Sequence, residues 1–337
     1  MSQYAEPLLA LRLDVVCLEY VETVLIQEGS NVLCIDTPLG TSRIFVIGNG
    51  DKKILFTSGF SLYDYRLVNT LTLLFLNSIR FVRPEGGLRE VALSKARFYL
   101  YPVVNHFAFS RAVALSRAFK RSLFDEHGIH VMYDNIVLQS RYSTMFHYIV
   151  SNIRPHILLI LATDRSLGKE RNDKVNVRVY SKDEETTNSI VQTLQTKLNN
   201  VNVIKEEHIN INMPHVHYVL ENLTSVGLLV EVPYGNDIVD NLYSILIEIV
   251  ERLATLDVKP VEELRCNEKY VDIELSSDKE ENINILTKSL QAHGIQVEPL
   301  GGTRVRVKYC ENIQLHKLLI DQRLLEKYFR ITILSSA

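Results

Sequence analysis

Apolar and polar positions follow two regimes along this chain. In the first sixty residues short β-rich runs dominate: Thr23–Gln27, Asn31–Asp36, Ser42–Ile47 and Lys53–Thr57. Glu28-Gly29, Pro38-Leu39-Gly40 and Gly48-Asn49-Gly50-Asp51 separate them with turn chemistry, which predicts an antiparallel meander leading into a central sheet. The period then lengthens. Leu67, Leu71, Leu74 and Phe75 stand at helical spacing and predict a helix over Arg66–Arg80. A strand is expected over Arg97–Val104, a helical or partly looped segment from Ser110 to Asp125, and a short helix over Phe146–Ile153. Ile157–Leu161 and Gly227–Val232 are continuous apolar runs, as in strands buried on both faces. His217–Leu223 reads as a helix and Asp237–Thr255 as a long amphipathic one. Buried strands alternating with helices predict an α/β fold, a mixed central sheet with helices on both faces.

Val258-Lys259-Pro260 has the character of a linker. The expected organisation is therefore a large α/β domain over residues 1–257 and a small α+β domain over residues 258–337. The second half also contains an echo. Val177–Leu198 and Ile273–Gly294 each read as a strand, an acidic turn with paired glutamates and an amphipathic helix, followed by strands at Ile209–Asn212 and Arg304–Tyr309. Duplication of a β-α-β unit and two independent α/β units both account for that pattern.

Composition narrows the partners. With 46% hydrophobic and 23% charged residues the chain has ordinary globular composition. A net charge of −3 speaks against broad nucleic-acid binding, which needs a concentrated basic face. No signal peptide is visible, and the longest apolar run, Ile157–Ala162, is far short of the ~20 residues of a membrane span. Cys17, Cys34, Cys266 and Cys310 stand far apart with no CxxC pair, so buried thiols and a cytoplasmic location are expected. Phosphate-loop and Gly-x-Ser-x-Gly motifs are absent.

The stretch with most chemical character is RFYLYPVVNHFAFSR (Arg97–Arg111), together with KILFTSGFSLYD (Lys53–Asp64) before it. These segments resemble the first half of a zinc carboxypeptidase of the metallocarboxypeptidase and succinylglutamate desuccinylase type. There a strand ends in Gly-x-His-x-x-Glu, which supplies two zinc ligands, and a later strand ends in a Pro-Val-x-Asn loop. Here the turn is Gly59-Phe60-Ser61-Leu62-Tyr63-Asp64, and Pro102-Val103-Val104-Asn105 keeps the second motif up to Asn105, where His106-Phe107-Ala108 departs from Pro-Asp-Gly. The resemblance covers Lys53–Thr255. It implies metal-ligand positions at Ser61, Asp64 and Ala162, the last within Leu161-Ala162-Thr163-Asp164. Serine is a poor zinc ligand, aspartate reaches less far than glutamate, and alanine has no donor, so no metal is expected. Ala118-Phe119-Lys120-Arg121-Ser122 resembles the family segment that grips a terminal carboxylate. Arg121 would keep the bidentate fork, with Arg117 one helical turn away and Lys120 in place of an asparagine. Leu228-Leu229-Val230-Glu231-Val232 resembles the family's strand bearing the catalytic glutamate, which would put Glu231 at the general-base position. Read without the family, it is a strand-end glutamate reaching solvent or pairing with Arg121.

These residues imply a carboxypeptidase-like protein that has lost catalysis. It would recognise a peptide C-terminus or small carboxylate through Arg121, Arg117, Lys120 and Asn105, and engage a protein partner through its C-terminal domain. The alternative is an active zinc-dependent carboxypeptidase or amidohydrolase with relocated ligands. Such a site would combine Asp64 with His106 or with the His215-Val216-His217 pair, and use Glu231 as base.

Overall fold

The computed structural model describes residues 18–37, 40–79, 88–110, 124–134, 140–164, 174–181, 184–195, 201–206, 213–233, 237–260, 268–275, 280–292, 295–310 and 331–336. Its main feature is an eight-stranded mixed sheet. The strands are β1 (Asn31–Thr37), β2 (Gly40–Ile47), β3 (Lys52–Thr57), β4 (Ala96–Tyr101), β5 (Ile157–Asp164), β6 (Val175–Tyr180), β7 (Val201–Lys205) and β8 (Val226–Pro233), in the order β1-β2-β4-β3-β5-β8-β6-β7. The central neighbours β4, β3, β5 and β8 run parallel, while β1, β2 and β4 pair antiparallel and β6 runs antiparallel to β8.

The strand side chains show why the central runs are apolar throughout. Ile54 and Phe56 face one side of β3 and Leu55 the other. In β5, Ile157, Leu159 and Leu161 face the first side, with Leu158 and Ile160 opposite. Because successive side chains point to opposite faces, a strand covered on both sides must be apolar at every position. Helices Leu18–Gln27, Tyr65–Ile79, Glu90–Lys95, Glu184–Gln195 and Asp237–Thr255 cover the first face. Helices Arg141–Ile153 and Pro214–Asn222 cover the second.

Three local expectations are corrected. Thr23–Gln27 is not a strand but the second half of helix Leu18–Gln27. Val21, Val24 and Leu25 bury one stripe at helical spacing, and the Thr23 hydroxyl donates back to the Glu19 carbonyl at 2.7 Å. Gly48–Asp51 is not a hairpin turn, because β4 lies between β2 and β3. The glycines serve that insertion: a Cβ on Gly50 would stand 2.1 Å from the Lys95 carbonyl carbon. The cysteines are not uniformly buried thiols either. Cys34 is free and exposed on β1, and Cys310 is disulfide-bonded, a state uncommon in reducing compartments.

Toward the C-terminus lies a second, four-stranded antiparallel sheet, β10-β11-β9-β12, built from β9 (Glu268–Leu275), β10 (Gln296–Gly301), β11 (Arg304–Cys310) and β12 (Ile331–Ser336). Helix Glu280–Ala292 packs Leu286 and Leu290 on Val271, Ile273, Val305 and Val307. The opposite face carries Glu274 against Arg304, Asp272 against Arg306 and Glu268 against Lys308. The two segments that echo each other in sequence differ in space. Strands β6 and β7 are direct parallel neighbours, whereas β11 separates β9 from β10 in a split β-α-β arrangement. Ile209–Asn212, expected as a strand, lies outside the described residues, and Val201–Lys205 is the strand that follows the first helix.

Candidate functional site

Ligand sites in open α/β sheets lie beyond the carboxyl ends of parallel strands, and Ser61, Asp64, Asn105, Ala162 and Glu231 lie at such ends. The chain leaves β3 through Ser58 and Gly59. Gly59 has a φ of +69°, where a side chain would be strained, and its Cα carries the chain past Val103. The Ser58 hydroxyl donates to the Leu161 carbonyl at 2.8 Å, which ties this turn to β5. A one-turn 3₁₀ helix, Leu62–Asp64, follows with Ser61 as its N-cap.

Ser61 and Asp64 are buried. One oxygen of the Asp64 carboxylate accepts from the Ser61 amide at 3.0 Å, with the Ser61 hydroxyl at 3.4 Å. The other accepts from the Thr163 amide on β5 at 2.9 Å. The Thr163 hydroxyl returns to the Tyr63 carbonyl at 3.1 Å. Asp64 thus closes a capping box and bolts the turn after β3 onto the end of β5. Ala162, the third inferred position, is buried beside it on β5, paired with Glu231 on β8.

Asn105 is fully buried. Its amide nitrogen donates to the Phe60 carbonyl at 3.3 Å and its oxygen accepts from the Ala108 amide at 3.1 Å, so both ends of the carboxamide hold the loops after β3 and β4 together. Next to it, the His106 Nε2 lies 3.0 Å from the Tyr101 hydroxyl, with the Tyr142 ring at 5.9 Å. Burial, helped by the Arg141 guanidinium, pushes His106 down to about 4, so the ring is neutral near pH 7.

Glu231 is half-buried and paired. Its carboxylate accepts from Arg178 Nε on β6 at 2.6 Å, and the same guanidinium binds Glu206 just after β7. Tyr180 and Asn176, both buried, neighbour this bridge on β6. Arg117, Lys120 and Arg121 lie outside the described residues. His215 and His217 diverge, as a helical pair two residues apart must. His217 meets the Tyr180 ring edge-on at 5.0 Å, while His215 stacks on His147 at 6.0 Å. Among the described residues no three His, Cys, Asp or Glu side chains group around one point suited to a metal ion.

No family model and no curated relative matches the sequence. Solved structures do match. A metallo-carboxypeptidase from Burkholderia cenocepacia superposes with a TM-score of 0.53 at 10% identity, over 69% of this chain and 66% of that one. A metallo-carboxypeptidase from Pseudomonas aeruginosa, in complex with (2-guanidinoethylmercapto)succinic acid, gives 0.51 at 10% identity, over 71% and 67%. This chain has a divergent zinc carboxypeptidase-like fold. In this fold Ser61, Asp64, Ala162 and Glu231 lie at the carboxyl ends of β3, β5 and β8.

Sequence reasoning missed two residues of this region. Thr163, whose amide secures Asp64, carried no local signal because it acts through its backbone from 99 residues away. Arg178 did carry one. It is a lone arginine in the apolar run VNVRVY, as Glu231 is a lone glutamate in its own strand, and two isolated opposite charges in adjacent buried strands call for each other.

Proposed function

We propose that this chain is a carboxypeptidase-like binding module that works without zinc and takes a peptide C-terminus or small carboxylate in the cleft at the carboxyl ends of β3, β5 and β8. The observation that carries this reading is the state of Asp64. A zinc ligand must direct a lone pair at the metal, and a catalytic zinc needs three protein donors plus an open position. Both Asp64 oxygens accept hydrogen bonds from Ser61 and Thr163, Ser61 sits in the same box, and Ala162 offers no donor atom. The residues present do not fit the metal. Glu231 supports the same reading, since its carboxylate is committed to Arg178.

The ligand class comes from Arg121, with Arg117 and Lys120 beside it in sequence, because a guanidinium fork matches a carboxylate. Recognition of a protein partner by the C-terminal sheet, within a separate domain from residue 258 onward, belongs to the same proposal.

Metal analysis of protein purified without chelators, followed by calorimetric zinc titration, tests it. We expect no stoichiometric zinc and no binding heat, a rise in melting temperature with a free-acid peptide but not with its C-terminal amide, and loss of that rise in Arg121→Ala. Tight stoichiometric zinc would overturn the reading and favour a hydrolase using Asp64 with His106 or His217 as ligands.

A further inference from the structure

Among the described residues the sheet edges are not treated alike. Strand β10 carries Pro299 and a register shift between Pro299 and Gly301, and β12 has a shift between Ile333 and Ser335. Strand β7 is five residues long, is partly covered by helix Glu184–Gln195, and ends at Lys205. Short length, proline, bulges and lysines are the devices by which edge strands avoid pairing with other chains. Strand β1 uses none of them. It is seven residues long, pairs with β2 in unbroken register from Asn31 to Thr37, and contains no proline, glycine or lysine. Its side chains are exposed at four consecutive positions from Asn31, including Val32 at 39% and Leu33 at 40%, and Ile26 nearby is 47% exposed.

We propose that β1 is a homodimer interface, pairing antiparallel with β1 of a second copy about a two-fold axis at Cys34, so that the two large sheets become continuous. The backbone suits self-pairing. The β1–β2 hairpin closes on the Thr37–Gly40 pair across a two-residue connection, so Thr37, Ile35, Leu33 and Asn31 turn their main-chain groups toward β2. Val32, Cys34 and Asp36 turn theirs outward. A two-fold axis at Cys34 pairs each outward residue with another outward one: Cys34 with Cys34 of the partner subunit, and Val32 with Asp36 of the partner subunit.

The side chains suit it as well. The axis sets Leu33 across from Ile35 of the partner subunit, apolar on apolar. The strand bears a single charge, Asp36, which already accepts from the Thr41 hydroxyl at 2.7 Å. The symmetry puts the two Asp36 residues four positions apart, about 14 Å. That exceeds a Debye length of about 8 Å, so the like charges are screened. An isologous contact of this kind closes on itself and does not propagate into fibres.

Sedimentation analysis of the full chain, with a short bismaleimide to trap paired Cys34 thiols, is the test. The wild type is expected at twice the monomer mass and is expected to cross-link, with cross-linking lost in Cys34→Ser. Val32→Lys should yield a monomer with an unchanged circular dichroism spectrum. Cys34→Pro should do the same, because it removes an outward N–H and leaves the β2 ladder intact. A wild type that stays monomeric at its highest soluble concentration would overturn the proposal. So would a dimer that survives Val32→Lys and Cys34→Pro and gives no Cys34 cross-link, since its interface would lie elsewhere.

Discussion

The two ends of β3 are closed by opposite charges, and the contrast separates what any α/β protein needs from what this one does differently. At the amino end, alternation sends Lys52 to one face of the sheet and Lys53 to the other. The Lys52 ammonium donates to the carbonyls of Leu253 at 3.2 Å, Ala254 at 2.8 Å and Leu256, around the C-terminus of helix Asp237–Thr255. Lys53 donates to the Ile153 carbonyl at 3.0 Å, at the end of helix Arg141–Ile153. Consecutive lysines thus cap one helix on each face, where free carbonyls and the helix dipole favour a cation. At the carboxyl end, Asp64 collects backbone amides from its own turn and from β5. One end is generic scaffolding. The other uses the same kind of main-chain satisfaction at a position where the resemblance implies a metal ligand.

The sharpest way to break the comparison is to remove the acid. Asp64→Ala leaves the Ser61 and Thr163 amides buried without acceptors, and hydrogen bonds to a charged group contribute about 1.5–3 kcal/mol each. A loss of about 4 kcal/mol in chemical denaturation is expected, with Asp64→Asn recovering part of it because one carbonyl oxygen remains. If Asp64→Ala unfolds at the wild-type denaturant concentration, the bolt between β3 and β5 is not structural.

The same contrast explains what could be read from sequence. The central strands were legible because burial on both faces forces unbroken apolar runs, as in Leu158–Leu161, and the long helix Asp237–Thr255 was legible from its stripe. Helix Leu18–Gln27 was not, because its β-branched composition outweighed the spacing of Val21, Val24 and Leu25. The insertion of β4 between β2 and β3 was also hidden, since sheet order is set by crossover packing and not by local turn chemistry. At the candidate site, residue types at Ser61, Asp64, Ala162 and Glu231 could be read from the motif frame. Their partners, Thr163 and Arg178, are remote in the chain, and only the fold brings them together.

Each end of β3 carries a histidine whose pKa burial lowers: His156, which accepts from the Lys53 amide at 3.1 Å at the lysine end, and the more deeply buried His106 at the carboxyl end. The His106 ring is held neutral against Tyr101, and burial lowers it from 6.5 to about 4. The unfolded chain therefore binds the extra proton first. This contribution to stability is complete above pH 6.5 and is lost as the pH falls from 6.5 through 4. The full difference is about 3 kcal/mol at 1.36 kcal/mol per decade. Denaturation midpoints measured from pH 7 to pH 4 should drop for the wild type and drop less for His106→Gln. Equal slopes in the two proteins would remove His106 as the cause.

The amino end should give the smallest effect, for a reason that can be checked. Lys52 is about half-buried, and burial lowers its pKa while Asp257 opposes that shift, so its charge is partly screened and partly replaceable by water. Helix C-terminal cations contribute about 0.3–1 kcal/mol when exposed and up to about 2 kcal/mol when partly buried. Lys52→Met keeps the aliphatic stem against Leu253 and Ala254 and removes only the donors, so a loss of about 1 kcal/mol is expected. Hydrogen exchange should show the loss as faster opening in the last turn of helix Asp237–Thr255, with helix Arg141–Ile153 unaffected because Lys53 still caps it. Destabilisation spread evenly over both helices would mean that the lysine pair acts on the sheet as a unit and not as two separate caps.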